Sequence, residues 1–366
     1  MDDRPDQKSV FINLNLITSL NMKWKLYPIS EFRDHQHEWE RLNQNTTASP
    51  LLSLGFVMPL IETFSSGKEV LACCEIEGEV QAMAILIQKS RWVWTTFQPS
   101  QAPLGMWISK AGNDWLQCLS ELMKVLPGFP LVLGVTQQDP DLISRPLDDG
   151  KLRTLDYIQT ASITIEGNFE DYWRARGKNL RQNIKKQRNK LEKNHLDTFL
   201  QVSINPDEVS RVIIDYGKIE SAGWKAKYGT AIHPANDQGK FYQAMLEAFC
   251  SQGKGRIYRY WYNDQIVAMD LCIEDNASII ILKTTYDEKL GDTTSPALLM
   301  REEEFRQLFD EKKLEKIEFY GKLMDWHTKW SKEIRTMYHV NYFRWTILLF
   351  LRHFIRTVTT VFRKIK

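Results

Sequence analysis

The sequence predicts an α/β chain of two similar units in tandem, each with a mixed central sheet flanked by helices. Three observations lead there. A hairpin, a further strand, a helix and a short strand recur in the same order in both halves. Residues 279–282 form a continuous apolar run, the mark of a strand buried on both faces, and a polar loop then leads into Pro296. Finally, 366 residues with 43% hydrophobic and 26% charged content can bury a large core and divide into two domains of ordinary size.

Each element has its own reason. Residues 1–21 read as a tail, since MDDRPDQ is polar and acidic and unlike a signal peptide. Met22 begins MKWKLYPISEF, which looks like a domain start, so translation could begin at Met1 or Met22. The first unit covers 22–165. Residues 24–28 alternate like a strand, and 32–42 and 50–64 carry helical patterns. Residues 69–76 and 79–88 form a hairpin turned by Glu77-Gly78. Residues 91–97 are aromatic and β-prone, and 99–105 are a loop. A helix follows from Trp115 to Val125, stopped by Pro127-Gly128, and 131–135 read as a short buried strand.

The second unit covers 166–343. Helical patterns occupy 169–176, 178–193, 206–217 and 241–250. Residues 255–262 and 265–274 form a second hairpin, turned at Asn263-Asp264. The strand 277–286 follows, then the helix that opens at Pro296 with Ser295 as N-cap, a short strand at 316–320 and a last strand at 337–343. Residues 344–366 differ: Arg352, Arg356 and Arg363 fall on one helical face and Leu351, Phe354, Ile355 and Val358 on the opposite arc. Such a basic amphipathic helix either lies on an anionic membrane surface or packs on the protein's own body.

Composition limits the function classes. A net charge of +2 is too small for a general nucleic-acid binder, and no specific DNA binding is expected. Cys73, Cys74, Cys118, Cys250 and Cys272 form no C-x-x-C pair and the histidines do not cluster, so reduced thiols, a cytoplasmic location and no metal are expected. G-x-S-x-G, Walker A and Rossmann G-x-G-x-x-G patterns are all missing.

Several residues could carry chemistry. A buried strand running through a polar loop into a helix N-terminus can hold an anion, because free N–H groups and the helix dipole point at it. The same pattern also suits an ordinary strand–loop–helix connection. The helix at 178–193 is dense in Lys and Arg behind a narrow stripe of Leu180, Ile184 and Leu191. It is either a solvated face or a surface for a phosphate-rich ligand, with Arg181 among the contacts. Trp224, Lys225 and Tyr228 could line a pocket or anchor a loop. Asp270, in an apolar strand, either faces solvent or stands as a base. Lys283, Tyr286 and Asp287 end a strand where ligands of α/β sheets bind. Asp325, Trp326, Lys329 and Trp330 are a second wall or ordinary surface and core.

Four stretches carry a family resemblance: WKLYPISEF with Trp39 and Leu42; RGKNLRQNIKKQRNKLEK; GWKAKYGTAI with FYQAMLEAF and GRIYRYWYNDQIVAMDLCI; and KTTYDEKLGDTTSPALLM with a later EFYG. In this order the chain resembles the tandem GNAT-fold acetyltransferases of the cellulose-biosynthesis (CelD/BcsL) type, relatives of the Fem-type peptidyl transferases. The resemblance implies an acyltransferase that uses acetyl-CoA or another acyl-CoA as co-substrate. It places the donor's phosphates at Thr293, Thr294, Ser295 and Ala297, although the family's SPG reads SPA here and the Q/R-x-x-G-x-G/A loop is missing. Asp270 is then the expected base, Tyr286 the acid for the leaving thiolate and Lys283 the group that orients the acceptor. Arg181, Trp224 and Lys225 are the expected substrate contacts. The acceptor would be a small molecule, a glycan or a lipid-linked precursor of the cell envelope or exopolysaccharide, with peripheral contact to the inner membrane through 344–366. The alternatives are a Fem-like aminoacyl transferase using charged tRNA, or a degenerate GNAT fold that only binds.

Overall fold

The computed structural model describes residues 22–222, 231–290 and 294–349. The strands of the first half are β1 (Lys23–Pro28), β2 (Val70–Ile76), β3 (Glu79–Ser90), β4 (Val93–Thr96), β5 (Trp107–Ser109), β6 (Val132–Gln138) and β7 (Leu152–Thr164). Those of the second are β8 (Thr198–Ser203), β9 (Gly255–Tyr262), β10 (Gln265–Glu274), β11 (Ser278–Tyr286), β12 (Lys316–Glu318) and β13 (Glu333–Phe343). All belong to one 13-stranded mixed sheet, in the order β1-β2-β3-β4-β6-β13-β7-β12-β11-β10-β9-β8, with β5 on β3. The two predicted α/β units are therefore present with their sheets fused. β2 and β3 form the expected hairpin: Glu77 and Gly78 both have positive φ, which matches the right-handed twist of the flanking strands. β9 and β10 turn at Asn263, also at positive φ.

Two pairs are parallel, β4 with β6 and β11 with β12, and each needs a crossover helix. These helices are α3 (Trp115–Val125) and α8 (Pro296–Glu311). The remaining helices are α1 (Gln36–Gln44), α2 (Leu54–Phe64), α4 (Phe169–Arg174), α5 (Lys178–Lys193), α6 (Val209–Ala222), α7 (Asp237–Ser251) and α9 (Asp325–Trp330). Part of the expected helix at 32–42 is a 3₁₀ segment, Ile29–His35.

β7 carries no strong sequence signal, yet it joins the halves. It pairs with β12 on one side and β13 on the other, while β13 also pairs with β6. Each half thus completes the sheet of the other with its last strand.

The core follows this exchange. On one face, α1 and α2 from the first half pack against α6 and α7 from the second; Phe56 meets Phe241 edge-on at 5.4 Å between ring centres. On the other face, α3 covers the first half with Cys118, Leu119 and Leu122, and α5 and α8 cover the second with Leu180, Ile184, Leu299 and Phe305. The predicted stripe of α5 is the face it buries.

Candidate active site

β11 pairs with β12 over only three positions, Ser278–Lys316 to Ile280–Glu318. Beyond them β11 runs on to Tyr286 while the other chain turns away. The parting coincides with a bulge. Leu271 of β10 faces Lys283 and Cys272 faces Ile281, so Leu282 is the extra residue. A cavity of about 380 Å³ opens there. Leu282, Lys283, Phe319, Tyr320 and Gly321 form one wall, Tyr157 and Ile158 of β7 and Gln137 another, and 98–103 from the first half cover it. Both halves of the chain contribute to one site.

A buried ion network lies beneath the cavity. Arg335 of β13 clasps Asp139 through two hydrogen bonds of 2.9 and 2.7 Å and pairs with Glu318 at 2.8 Å. Its guanidinium stands 5.1 Å from the centre of the Tyr320 ring. Lys316 bridges Glu318 and Asp141 at 2.8 and 2.9 Å. Burial and the Asp139 carboxylate hold the Tyr320 hydroxyl well above its ordinary range, so it is a hydrogen-bond donor and not a base. Tyr320 itself has a left-handed backbone, φ 46°, that points the chain away from β12's path. The Lys283 ammonium stands 5.6 Å from the ring centre of Tyr242, which also lines the cavity.

The N-terminus of α8 is a separate feature. Ser295 is its N-cap, without a side-chain capping bond. Its carbonyl accepts from Leu298 and Leu299, and its own N–H donates to Gln187 Oε1 of α5 at 2.6 Å. Thr294 is buried, its N–H bonded to the Leu290 carbonyl and its hydroxyl 3.2 Å from the Tyr262 hydroxyl. Pro296, the first residue of the helix, offers no N–H, and Ala297 follows it. The basic helix α5 thus runs alongside the predicted anion site. Arg188 ties it to α8 through Glu302 and Glu303, while Lys178, Lys185, Lys186 and Lys193 face solvent.

Asp270 departs from its expected role. It is fully buried, faces α8, and does not line the cavity. Its carboxylate lies 3.1 Å from Arg301, which also donates to Thr284 of β11 and stacks over Phe305, Phe319 and Trp326. Glu304 is equally buried, and burial first, then the Asp270 charge, hold its carboxyl pKa well above the usual carboxylate range. Glu304 is therefore the protonated carboxyl, next to the Asp270–Arg301 pair. This is a seat that fixes α8 on β11, out of reach of an acceptor in the cavity.

The other expected residues separate. Lys283 lines the cavity, and Tyr286 is exposed at the end of β11. Arg181 bonds the Arg176 carbonyl at 3.2 Å, at the junction of α4 and α5, away from the cavity. Trp330 is core, stacked on Trp173. Thr293, Trp224, Lys225 and Tyr228 lie outside the described residues, as does the segment 350–366. Sequence reasoning missed Gln137, Tyr157 and the 98–103 wall; positive φ at Gln137 becomes visible only in the folded chain.

Residues 178–328 match the family model for the acetyltransferase (GNAT) domain, which ties the α5-to-α9 region to that fold. No curated protein matches the sequence. Among solved structures, the chain is similar to the C-terminal domain of an Agrobacterium fabrum protein described as a lysylphosphatidylglycerol synthetase (TM-score 0.52, 12% identity, 84% of this chain and 92% of that one). It is similar to FemX (TM-score 0.51, 11% identity, 89% and 99%). A Bacteroides thetaiotaomicron protein of unknown function is also similar (TM-score 0.51, 9% identity, 88% and 100%). At these identities the likeness is one of fold.

Proposed function

We propose that the protein is an acyl-CoA-dependent N- or O-acyltransferase. The observation that carries this reading is the parting of β11 from β12 at the Leu282 bulge, on the strand that leads into α8 and its N-terminus without a side-chain cap, inside a region that matches an acetyltransferase domain. The donor's phosphates would sit at Thr294, Ser295 and Ala297, and at Thr293 if the loop follows the family pattern. The thioester would lie between the parted strands. A bulge leaves a backbone N–H outside the ladder, and at Leu282 it would steady the oxyanion formed when the acceptor attacks.

Attack forms the new C–N or C–O bond, collapse breaks C–S, and the thiolate takes a proton, with Tyr286 as the candidate donor. Asp270 we assign to positioning α8 and not to proton abstraction. Among the described residues lining the cavity there is no carboxylate or imidazole. An amine can attack as its free base and lose its proton to water, whereas a hydroxyl needs a base at hand, so the cavity favours an amine. Lys283 and Tyr320 would orient it. An acceptor from the cell envelope or an exopolysaccharide pathway of the cellulose-biosynthesis type is the class the sequence resemblance suggests.

A second reading, aminoacyl transfer from charged tRNA, is favoured by one observation: the solvent-facing lysines of α5 beside the α8 N-terminus. Thermal shift separates the two. Stabilisation by acetyl-CoA or a longer acyl-CoA, lost in Ser295→Asp, supports the first; stabilisation by tRNA alone replaces it with the second.

A further inference from the structure

A surface far from the cavity goes beyond this reading. Trp92, Phe129 and Trp345 are exposed by 41%, 47% and 47%, and Ile347 by 62%. Large apolar side chains scattered singly on a surface need no explanation, but these are brought together. The Trp92 carbonyl accepts from the N–H groups of Leu131 and Val132, and the Leu131 carbonyl accepts from Arg344. The rings of Phe129 and Trp345 meet at 5.7 Å. Cations stand over two of the faces: Arg91 lies 4.6 Å from the Trp92 ring centre and Arg344 4.4 Å from that of Phe129. Three segments far apart in sequence thus present aromatic rings and guanidinium groups on one edge of the molecule.

The chain says what this edge meets. It leaves the patch at Trp345 and runs on to Lys366 with no acidic residue, while Arg352, Arg356, Arg363, Lys364 and Lys366 add positive charge among apolar residues. Aromatic rings, guanidinium groups and a basic, apolar continuation without acid match the interface of an anionic bilayer, where rings sit at the headgroup level and each nearby cation adds attraction. Among the described residues no helix is long and apolar enough to cross a membrane.

We propose that Trp92, Phe129, Trp345 and Arg91 form a docking surface for an anionic lipid bilayer. The surface lies at the start of β6, and Gln137 of the cavity near its end, roughly 15–20 Å away by the rise of a strand. Docking at one end of β6 would leave the cavity, near the other end, open to solvent.

Flotation of the full chain with vesicles tests this and requires no catalytic activity. The chain is expected to float with phosphatidylcholine–phosphatidylglycerol vesicles, to stay down with phosphatidylcholine alone, and to be released by high salt. Arg91→Gln should lower partitioning about fivefold, from one cation at the surface. Trp92→Ser with Trp345→Ser should lower it at least about tenfold, from two rings no longer buried in lipid. Unchanged melting shows that the variants fold. Quenching of tryptophan emission by brominated phosphatidylglycerol in the unaltered chain gives a readout that needs no variant. Failure of the unaltered chain to float with anionic vesicles overturns the proposal. So does flotation of the Trp variant equal to wild type, which would mean that 350–366 binds alone or covers the patch.

Discussion

The two halves build the same crossover and finish it in opposite ways. In the first, β4 pairs with β6 over Val93–Val132 to Thr95–Gly134, and the strands would then part. They do not: the hydroxyls of Thr96 and Thr136 meet at 2.7 Å, and the backbone of Gly105 enters, its N–H bonding the Gln137 carbonyl. In the second half β11 and β12 part and leave a cavity. The crossover helices differ in the same sense. Asp114 caps α3 with its carboxylate on the N–H groups of Leu116 and Gln117, so that an anion of the protein already occupies the helix end. Ser295 leaves α8 without such a cap. The face each helix buries differs too, apolar under α3 but with Arg301 and Glu304 set among Leu299 and Phe305 under α8. The repeated unit keeps its architecture, with the gap between its parallel strands filled in one copy and open in the other.

The largest expected effect comes from the ionic seat. Arg301→Met removes the cation between Asp270 and Glu304 and leaves the buried Asp270 carboxylate without compensation, a loss of about 3–5 kcal/mol. Denaturant midpoints measure it, and a midpoint within error of wild type would mean that α8 does not depend on the cluster. Next is the closed cleft. A Cβ on Gly105 would stand 2.5 Å from Thr96 Oγ1 and closer still to the Thr136 carbonyl. Gly105→Ala should therefore cost about 2–4 kcal/mol. If the variant is as stable as the parent, the first-half cleft has room and the contrast weakens.

A pH dependence follows for the second half. Burial first, and then the Arg301 charge, hold His327 down to about 4, against an ordinary value of 6.5. Its folded form refuses a proton that the unfolded chain takes up. The stability it contributes is therefore complete above pH 6.5 and is lost as the pH falls from 6.5 to 4, by up to roughly 3 kcal/mol. His327→Gln should flatten the melting temperature across that window; an unchanged slope would assign the acid sensitivity elsewhere.

The smallest effect is also the sharpest test of the comparison. Asp114→Ala loses one cap and about 1 kcal/mol, with the acyl-CoA thermal shift intact. Ser295→Asp should keep or slightly raise stability, since Asp caps at least as well as Ser, while abolishing that shift. Equal loss of the shift in both variants would deny α8 its special place.

Much of the fold was legible because local rules agreed with the final structure. Gly78 and Asn263 mark two hairpins, Pro296 starts α8, and the apolar spacing of Leu180, Ile184 and Leu191 predicts the buried side of α5. β7 was not legible. Arg153, Thr154, Asp156 and Gln159 give it no buried pattern, and it is a strand because β12 and β13 flank it. The site was readable in part for the same reason. Lys283 and Ser295 sit on elements that sequence located, but Gln137, Tyr157 and the 98–103 wall come from the other half. Asp270 looked like a base because a carboxylate in an apolar strand is unusual; its partner, Arg301, is set by how α8 packs.

By itself, then, the sequence determined two α/β units, their crossover helices and the basic character of α5, since these depend on periodicity, turn residues and caps within a few residues. The exchange of β7 and β13, the closing of one cleft by Gly105 and the opening of the other at Leu282 were decided by the tertiary structure alone. Strand pairing and the filling of a cleft are contacts between residues distant in the chain, and no local pattern encodes them.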